Sequence, residues 1–172
     1  CGDANGPGGS VQPVTDDDCG AGYISNTLAA EARCAGTACD LDNVPEDKAA
    51  CCLAQATCGD EDGAGESTVA VSDAECGDGY VYDPEAAASL CVGVTCAPSS
   101  VEADRTACCT ALATCGDTDG EGAGASAVSD SDCGAGLIYN ISAAELFCGG
   151  TACDVRNGTD DHSVCCGPYS DV

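Results

Sequence analysis

The chain has 172 residues, 30 of them acidic against 4 Lys and Arg, for a formal net charge of −26. Such a surface repels nucleic acid and anionic membranes and attracts cations. With 18 cysteines but one Phe, five Tyr and no Trp or Met, large apolar side chains cannot fill a core, and crosslinks have to supply much of the stability.

The cysteines fall into three sets of six with one spacing. Cys1, Cys19, Cys34, Cys39, Cys51 and Cys52 recur at Cys58, Cys76, Cys91, Cys96, Cys108 and Cys109, and again at Cys115, Cys133, Cys148, Cys153, Cys165 and Cys166. The period of 57 residues divides the chain into repeats 1–57, 58–114 and 115–172. Besides the cysteines, the columns identical in all three copies are Gly2, Gly6, Gly8, Gly20, Gly22, Gly36, Asp3, Asp16, Asp47, Val14, Ala29 and Ala30 in first-copy numbers. What repeats is therefore staples, turns and caps. Six cysteines per repeat with none left over point to oxidised pairs. That places the chain in an oxidising setting, extracellular or at the cell surface, or else in an oxidising organelle lumen. No apolar stretch is long enough to insert in a membrane and no signal peptide stands at the start, so the chain reads as a processed segment of a secretory product. Cys1 in first place would suit an acylated lipoprotein. Its column, however, is also held by Cys58 and Cys115 inside the chain, which predicts that Cys1 is paired as they are.

Each repeat opens with a glycine-rich acidic turn, CGDANGPGG, CGDEDGAGE or CGDTDGEGA. A half-extended stretch follows (VTDDDCGAGYIS, VSDAECGDGYVY, VSDSDCGAGLIY), whose Tyr, Ile and Val suit a short strand. A short Ala-rich helix is predicted next, capped by Asn26, Asp83 or Asn140, with Pro84 at its first position in the second copy and Gly36, Gly93 or Gly150 as its stop. A second helix is predicted through the vicinal cysteines, with Pro45, Glu46 and Asp47 in its opening turn, Glu102 and Asp104 in the next copy, and Gly167 and Pro168 ending it early in the third. Neighbouring half-cystines on a helix point about 100° apart, so Cys51 and Cys52 should reach different partners. Six cysteines allow fifteen pairings, and excluding bonds between neighbours leaves most of them open. The expected fold is thus a set of small disulfide-rich repeats, each with two short helices, a short strand and Gly/Asp-rich turns. Only Leu53–Thr57 separates Cys52 from Cys58, and a helix continued through that joint would give a linear, semi-rigid array.

Two residues apart in each acidic turn stand Asp3 and Asn5, Asp60 and Asp62, or Asp117 and Asp119, hard oxygen donors of the kind calcium takes. Asp16 and Asp18, Asp73 and Glu75, or Asp130 and Asp132 would complete such a site; the alternative is that all of them make turns. The rest of an EF-hand loop is absent. No catalytic residue is assigned and no enzyme activity is expected. His162, the one histidine, occupies the column of Lys48 and Arg105 and reads as a surface cation near a helix start, and no nucleophile has a base by position. Asn140-Ile-Ser142 and Asn157-Gly-Thr159 are glycan acceptor sequons for a eukaryotic secretory pathway.

The pattern ATCGDxDGxG, VSDxxCGxGYVY, C-x4-C and DxxACC resembles tandem cysteine-rich repeats in secreted or lumenal proteins of dinoflagellates and other microalgae. The resemblance covers all three repeats; it implies a eukaryotic aquatic source and an extracellular or lumenal location, and carries over no catalytic residue. Three functions fit these readings. The first is a non-enzymatic structural protein of an extracellular fibre or cell-surface coat, partnered by itself or by other coat proteins. The second is a binding module, calcium-dependent or a lumenal partner of a larger membrane assembly. The third is a secreted toxin or inhibitor on a disulfide scaffold.

Overall fold

The computed structural model of the chain describes residues 1–6, 10–63, 68–120, 126–156 and 158–168. The chain forms two compact units, Cys1–Val71 with Pro84–Ala107 and Ser72–Asp83 with Cys108–Val172. It is a small disulfide-rich fold of short helices and short antiparallel strand pairs, and no cysteine is free. Among the described residues no helix is long and apolar enough to cross a membrane.

In the first unit, α1 (Asp16–Cys19) is a single turn inside the stretch expected to be half-extended. Its cause is local: Thr15 Oγ1 accepts the Asp18 N–H at 3.3 Å while Asp18 Oδ2 accepts the Thr15 N–H at 2.8 Å, a reciprocal cap that satisfies two otherwise orphaned donors. Gly20, at φ 78°, turns the chain out of that helix, and β1 (Tyr23–Ser25) follows where the strand was expected. The predicted Ala-rich helix is a single 3-10 turn, Thr27–Ala29. Gly36 lies well beyond its end and does not stop it. With so few residues, and only Ala29 half-buried against the core, a longer helix has little to hold it.

The second predicted helix, α2 (Pro45–Cys51), begins at Pro45 as expected but does not run through the vicinal pair. Cys52, at φ −126° and ψ 145°, is already extended and opens β2 (Cys52–Ala54). This strand pairs antiparallel with β1, setting Tyr23 opposite Ala54, Ile24 opposite Leu53 and Ser25 opposite Cys52. The two cysteines do reach different partners. They do so because the backbone changes from helix to strand between them, and not because of the 100° turn of a continuous helix. Cys51 bonds Cys1, Cys52 bonds Cys19, and Cys34 bonds Cys39, so the column reading of Cys1 as a paired cysteine holds. The buried cluster here is Cys1, Val14, Cys19, Cys51 and Cys52, with Ala4, Ala29, Ala32 and Leu41 packed against it. Half-cystines take the place of the missing aromatics.

The second unit holds α3 (Asp73–Cys76) and β3 (Tyr80–Tyr82). The helix α4 (Glu102–Cys108) lies in the first unit but for its last residue, and β4 (Cys109–Ala111) pairs with β3 in the second. The remaining elements are α5 (Asp130–Cys133), β5 (Leu137–Tyr139), α6 (Asp160–Cys165) and β6 (Cys166–Pro168). β6 pairs with β5 and sets Tyr139 opposite Cys166. Pro84 opens a one-turn 3-10 helix and Asn140 precedes another, as the cap signals predict. Gly167 and Pro168, read as helix stops, lie in β6, because the helix has already ended at Cys165. Cys76–Cys109, Cys115–Cys165, Cys133–Cys166, and in the first unit Cys91–Cys96, follow the pairing of the first six cysteines, as does Cys148–Cys153. The buried cluster of the second unit joins Ala113, Cys115, Val128, Cys133, Ala143, Cys148 and Cys165.

Candidate functional site

Among the described residues the chemistry is concentrated where backbone is clasped or joined. The first such place is Asp47. Its helix begins at Pro45, which makes Asp47 the third residue of the opening turn and turns its carboxylate inward, where it is 2% exposed. Oδ1 accepts the Ala35 N–H at 2.7 Å and Oδ2 accepts the Asp40 N–H at 2.9 Å. The carboxylate therefore spans the loop that the Cys34–Cys39 disulfide closes. Asp104 clasps Val92 and Ala97 at 2.8 and 2.9 Å, and Asp161 clasps Gly149 and Asp154 at 2.7 and 2.8 Å. Sequence reasoning placed Asp47 and Asp104 in the opening turn of a helix, as partners of its positive end. The identity of this aspartate in all three copies, in a chain where most acidic positions vary, was the signal of a buried role.

The second place is the joint that follows β2. In the first unit, Gln55 N–H continues the strand pairing to Gly22 O at 2.9 Å, while the next residues pair forward. Ala56 N–H donates to Gly93 O at 3.0 Å, Cys91 N–H donates to Ala56 O at 2.9 Å, and Gln55 Nε2 donates to Cys91 O at 2.8 Å. Ala56 is completely buried, and a side chain on Gly63, at φ 57°, would meet its Cα at 3.2 Å. In the second unit Leu112 N–H donates to Gly79 O at 2.9 Å, Ala113 N–H to Gly150 O at 3.0 Å and Cys148 N–H to Ala113 O at 2.9 Å, and Ala113 is also completely buried. The joint expected to be helical is extended and hydrogen-bonded on both sides. Gly93 and Gly150, expected as helix stops, are its acceptors.

The acidic pairs expected to complete a calcium site serve the local backbone. Asp16 Oδ1 accepts the Ser25 N–H at 2.7 Å, and that bond, then the Ser25 hydroxyl, holds its carboxyl below the usual value. The Thr15 hydroxyl and then its N–H do the same for Asp18, and those of Ser129 for Asp132. Asp73 and Asp130 accept the N–H groups of Tyr82 and Tyr139 at 2.8 and 2.9 Å, and Glu75 caps Ser72 at 2.8 Å. In the opening turns, Asn5 Nδ2 donates to Ser10 O at 3.1 Å and Gln12 Oε1 at 3.3 Å. Oδ1 of Asp3 and of Asp60 is a buried oxygen that accepts no hydrogen bond from the described residues. Asp117 occupies the corresponding place in the third turn; Asp62 and Asp119 follow two residues after Asp60 and Asp117. Among the described residues, the potential metal-ligand side chains that converge in threes are cysteines such as Cys1, Cys34 and Cys51, which are oxidised.

His162 is not the surface cation its column suggested. It is buried at 8% exposure, with Nε2 3.1 Å from Cys133 O. Lys48, in the same column, keeps its ammonium 4.0 Å above the Tyr23 ring centroid, and the shorter imidazole at 162 turns inward instead. Asn140 caps its 3-10 turn through Oδ1, which accepts the Ser142 N–H at 3.1 Å. Capping and glycosylation do not compete, since the sugar would take Nδ2. Asn157, the other sequon, and Gly8 lie outside the described residues. An exposed charge pair is bidentate: Asp154 Oδ1 accepts from Arg156 Nε at 2.7 Å and Oδ2 from Nη2, holding the Asp154 carboxyl down to about 2.

These features define a class, a small disulfide scaffold with a clasped loop and a strand-like joint. No family model, no curated protein and no solved structure matches the chain.

Proposed function

We propose that the protein is a non-enzymatic structural component of an extracellular fibre or cell-surface coat: an acidic, disulfide-stapled linear array of repeats, glycosylated at Asn140. One observation carries this reading. The residues that leave each strand pair at 55–57 and 112–114 are hydrogen-bonded backward and forward, where a chain of independent beads would have a Gly/Ser- or Pro-rich linker. The many disulfides fit an oxidising or extracellular setting, and the algal resemblance points the same way. The partners are then further copies or other coat proteins. The test is imaging of the native material together with small-angle scattering of the isolated chain. Filaments or layers with a repeat set by the 57-residue period are expected; a strictly monomeric protein, absent from any coat or fibre, refutes the proposal.

A calcium-dependent binding function is the second reading, favoured by the buried, unbonded Oδ1 atoms of Asp3 and Asp60. Titration calorimetry with Ca²⁺ is expected to give heat and a raised melting temperature, and neither signal appearing removes it.

A further inference from the structure

The edge that receives a joint exists three times in the sequence, and in the two later places the chain itself fills it. Cys91–Gly93 is covered by Gln55–Ala56–Thr57, and Cys148–Gly150 by Leu112–Ala113–Thr114. In both the receiving cysteine is nearly sealed from solvent, with Cys91 1% and Cys148 3% exposed. The corresponding edge in the first unit is Cys34–Gly36. Here the Cys34 N–H and the Gly36 carbonyl have no partner among the described residues, although the Ala35 N–H between them is held by Asp47 just as Val92 is by Asp104. Cys34 is half-exposed and Gly36 exposed. A groove of about 630 Å³ opens over them, lined among others by Gly6, Ala30, Ala32, Cys34, Gly36 and Thr37. Gly6 corresponds to Gly63, the residue against which Ala56 packs.

We infer that Cys34–Gly36 is a docking edge for an extended X-Ala-Thr segment carried by another six-cysteine repeat of this kind. The occupant is specified by chemistry seen twice in the same fold. Its central N–H donates to the Gly36 carbonyl and its central carbonyl accepts from the Cys34 N–H. The side chain between them has to be a methyl group, because the place it enters is completely buried for Ala56 and Ala113. Residues 169–171 of a second copy, Tyr-Ser-Asp in the same register, fit less well, since a serine would bury a hydroxyl at that point. This is strand addition, in which main-chain bonds supply affinity and one small pocket supplies selectivity. Capture of such a segment requires no filament, so the inference does not stand or fall with the fibre reading.

Two experiments test it on the full chain. In the first, Leu-Ala-Gln-Ala-Thr is appended before Cys1, and amide hydrogen exchange is measured with the Val92 amide as an internal control of folding. Exchange of the Cys34 N–H is expected to slow at least tenfold, and the same extension with Phe in place of its second Ala is expected to give no protection. In the second, the free capped peptides Leu-Ala-Gln-Ala-Thr and Gly-Pro-Tyr-Ser-Asp-Val are titrated while the Cys34 amide shift is followed by NMR. The first peptide is expected to move it and the second to leave it. Unchanged exchange at Cys34 in the extended chain, equal protection by the Phe form, or preferential binding of the second peptide overturns the proposal; the last outcome would assign the edge to a second copy.

Discussion

Replacing Asp47 by Asn keeps the shape of the clasp and removes half of its acceptors. Two backbone donors, Ala35 N–H at 2.7 Å and Asp40 N–H at 2.9 Å, face the side chain. An amide offers one oxygen to them and turns an NH₂ toward the other. The loss is one hydrogen bond to a charged acceptor, about 1.5–3 kcal/mol, together with an N–H left unsatisfied in a site that is partly buried, about 1–3 kcal/mol. The two overlap, so about 2–4 kcal/mol is expected in all. With a tenfold change for each 1.4 kcal/mol, opening of the 34–40 loop should become roughly 30- to 1,000-fold more frequent. Amide exchange at Ala35 and Asp40 reads this directly, with the Cys34–Cys39 bond left intact and verified by mass. A global melt is a poorer assay, because two compact units need not unfold as one. Exchange at both amides within threefold of the parent chain would refute the clasp. Asp104→Asn should reproduce the effect at Val92 and Ala97, and Asp161→Asn at Gly149 and Asp154.

Other outcomes follow from the same structure. Cys1–Cys51 closes 50 residues and Cys34–Cys39 only 5; in the chain-entropy picture, removing the first by paired Ser substitutions costs about 4 kcal/mol and the second about 2, so denaturant midpoints should fall in that order. Thr15→Ala removes the cap of α1 and should cost about 1 kcal/mol, seen as faster exchange at the Asp18 amide. Asp154 should titrate with a midpoint of about 2. Because its folded value lies below the ordinary carboxylate value, whatever stability its pairing gives is present at neutral pH and is lost as pH falls from near 4 through about 2. Arg156→Gln should return the midpoint toward the ordinary range, and added salt should do so in part. Expression in a eukaryotic secretory host should add a glycan mass that Asn140→Gln reduces; no change in mass on that substitution would remove the assignment.

Much of this architecture is legible in the residues. The sixfold cysteine spacing announces a crosslinked scaffold, Tyr23–Ser25 reads as a strand, and Pro45 and Pro84 mark the first positions of their helices. The pairing of the cysteines is not legible, since it depends on which half-cystines the fold brings within bonding distance. Nor is α1, four residues long, whose existence rests on one side-chain cap more than on any periodicity. The change from helix to strand between Cys51 and Cys52 defeats a local reading because AACCLA has no breaker in it; the pairing of Leu53 with Ile24 decides it. The candidate site divides in the same way. The three aspartates of the clasp carried a visible signal in their invariance, whereas the proposed docking edge rests on the bonds that Ala56 and Ala113 make and that Cys34–Gly36 does not make with any described residue.

The crosslink from Cys1 to Cys51, followed at once by Cys52, also decides how tension would travel along the chain. A pull entering at Cys1 crosses a single sulfur bridge to Cys51, so the 49 residues between them carry none of it. Cys115 and Cys165 short-circuit the third repeat in the same way. What remains in the load path after Cys52 is the few residues to the next half-cystine at Cys58, which at about 3.3–3.6 Å each could lengthen very little. Even with every hydrogen bond broken, the stretch from Cys1 to Cys58 would stay short under force, its slack locked away in the loop between Cys1 and Cys51.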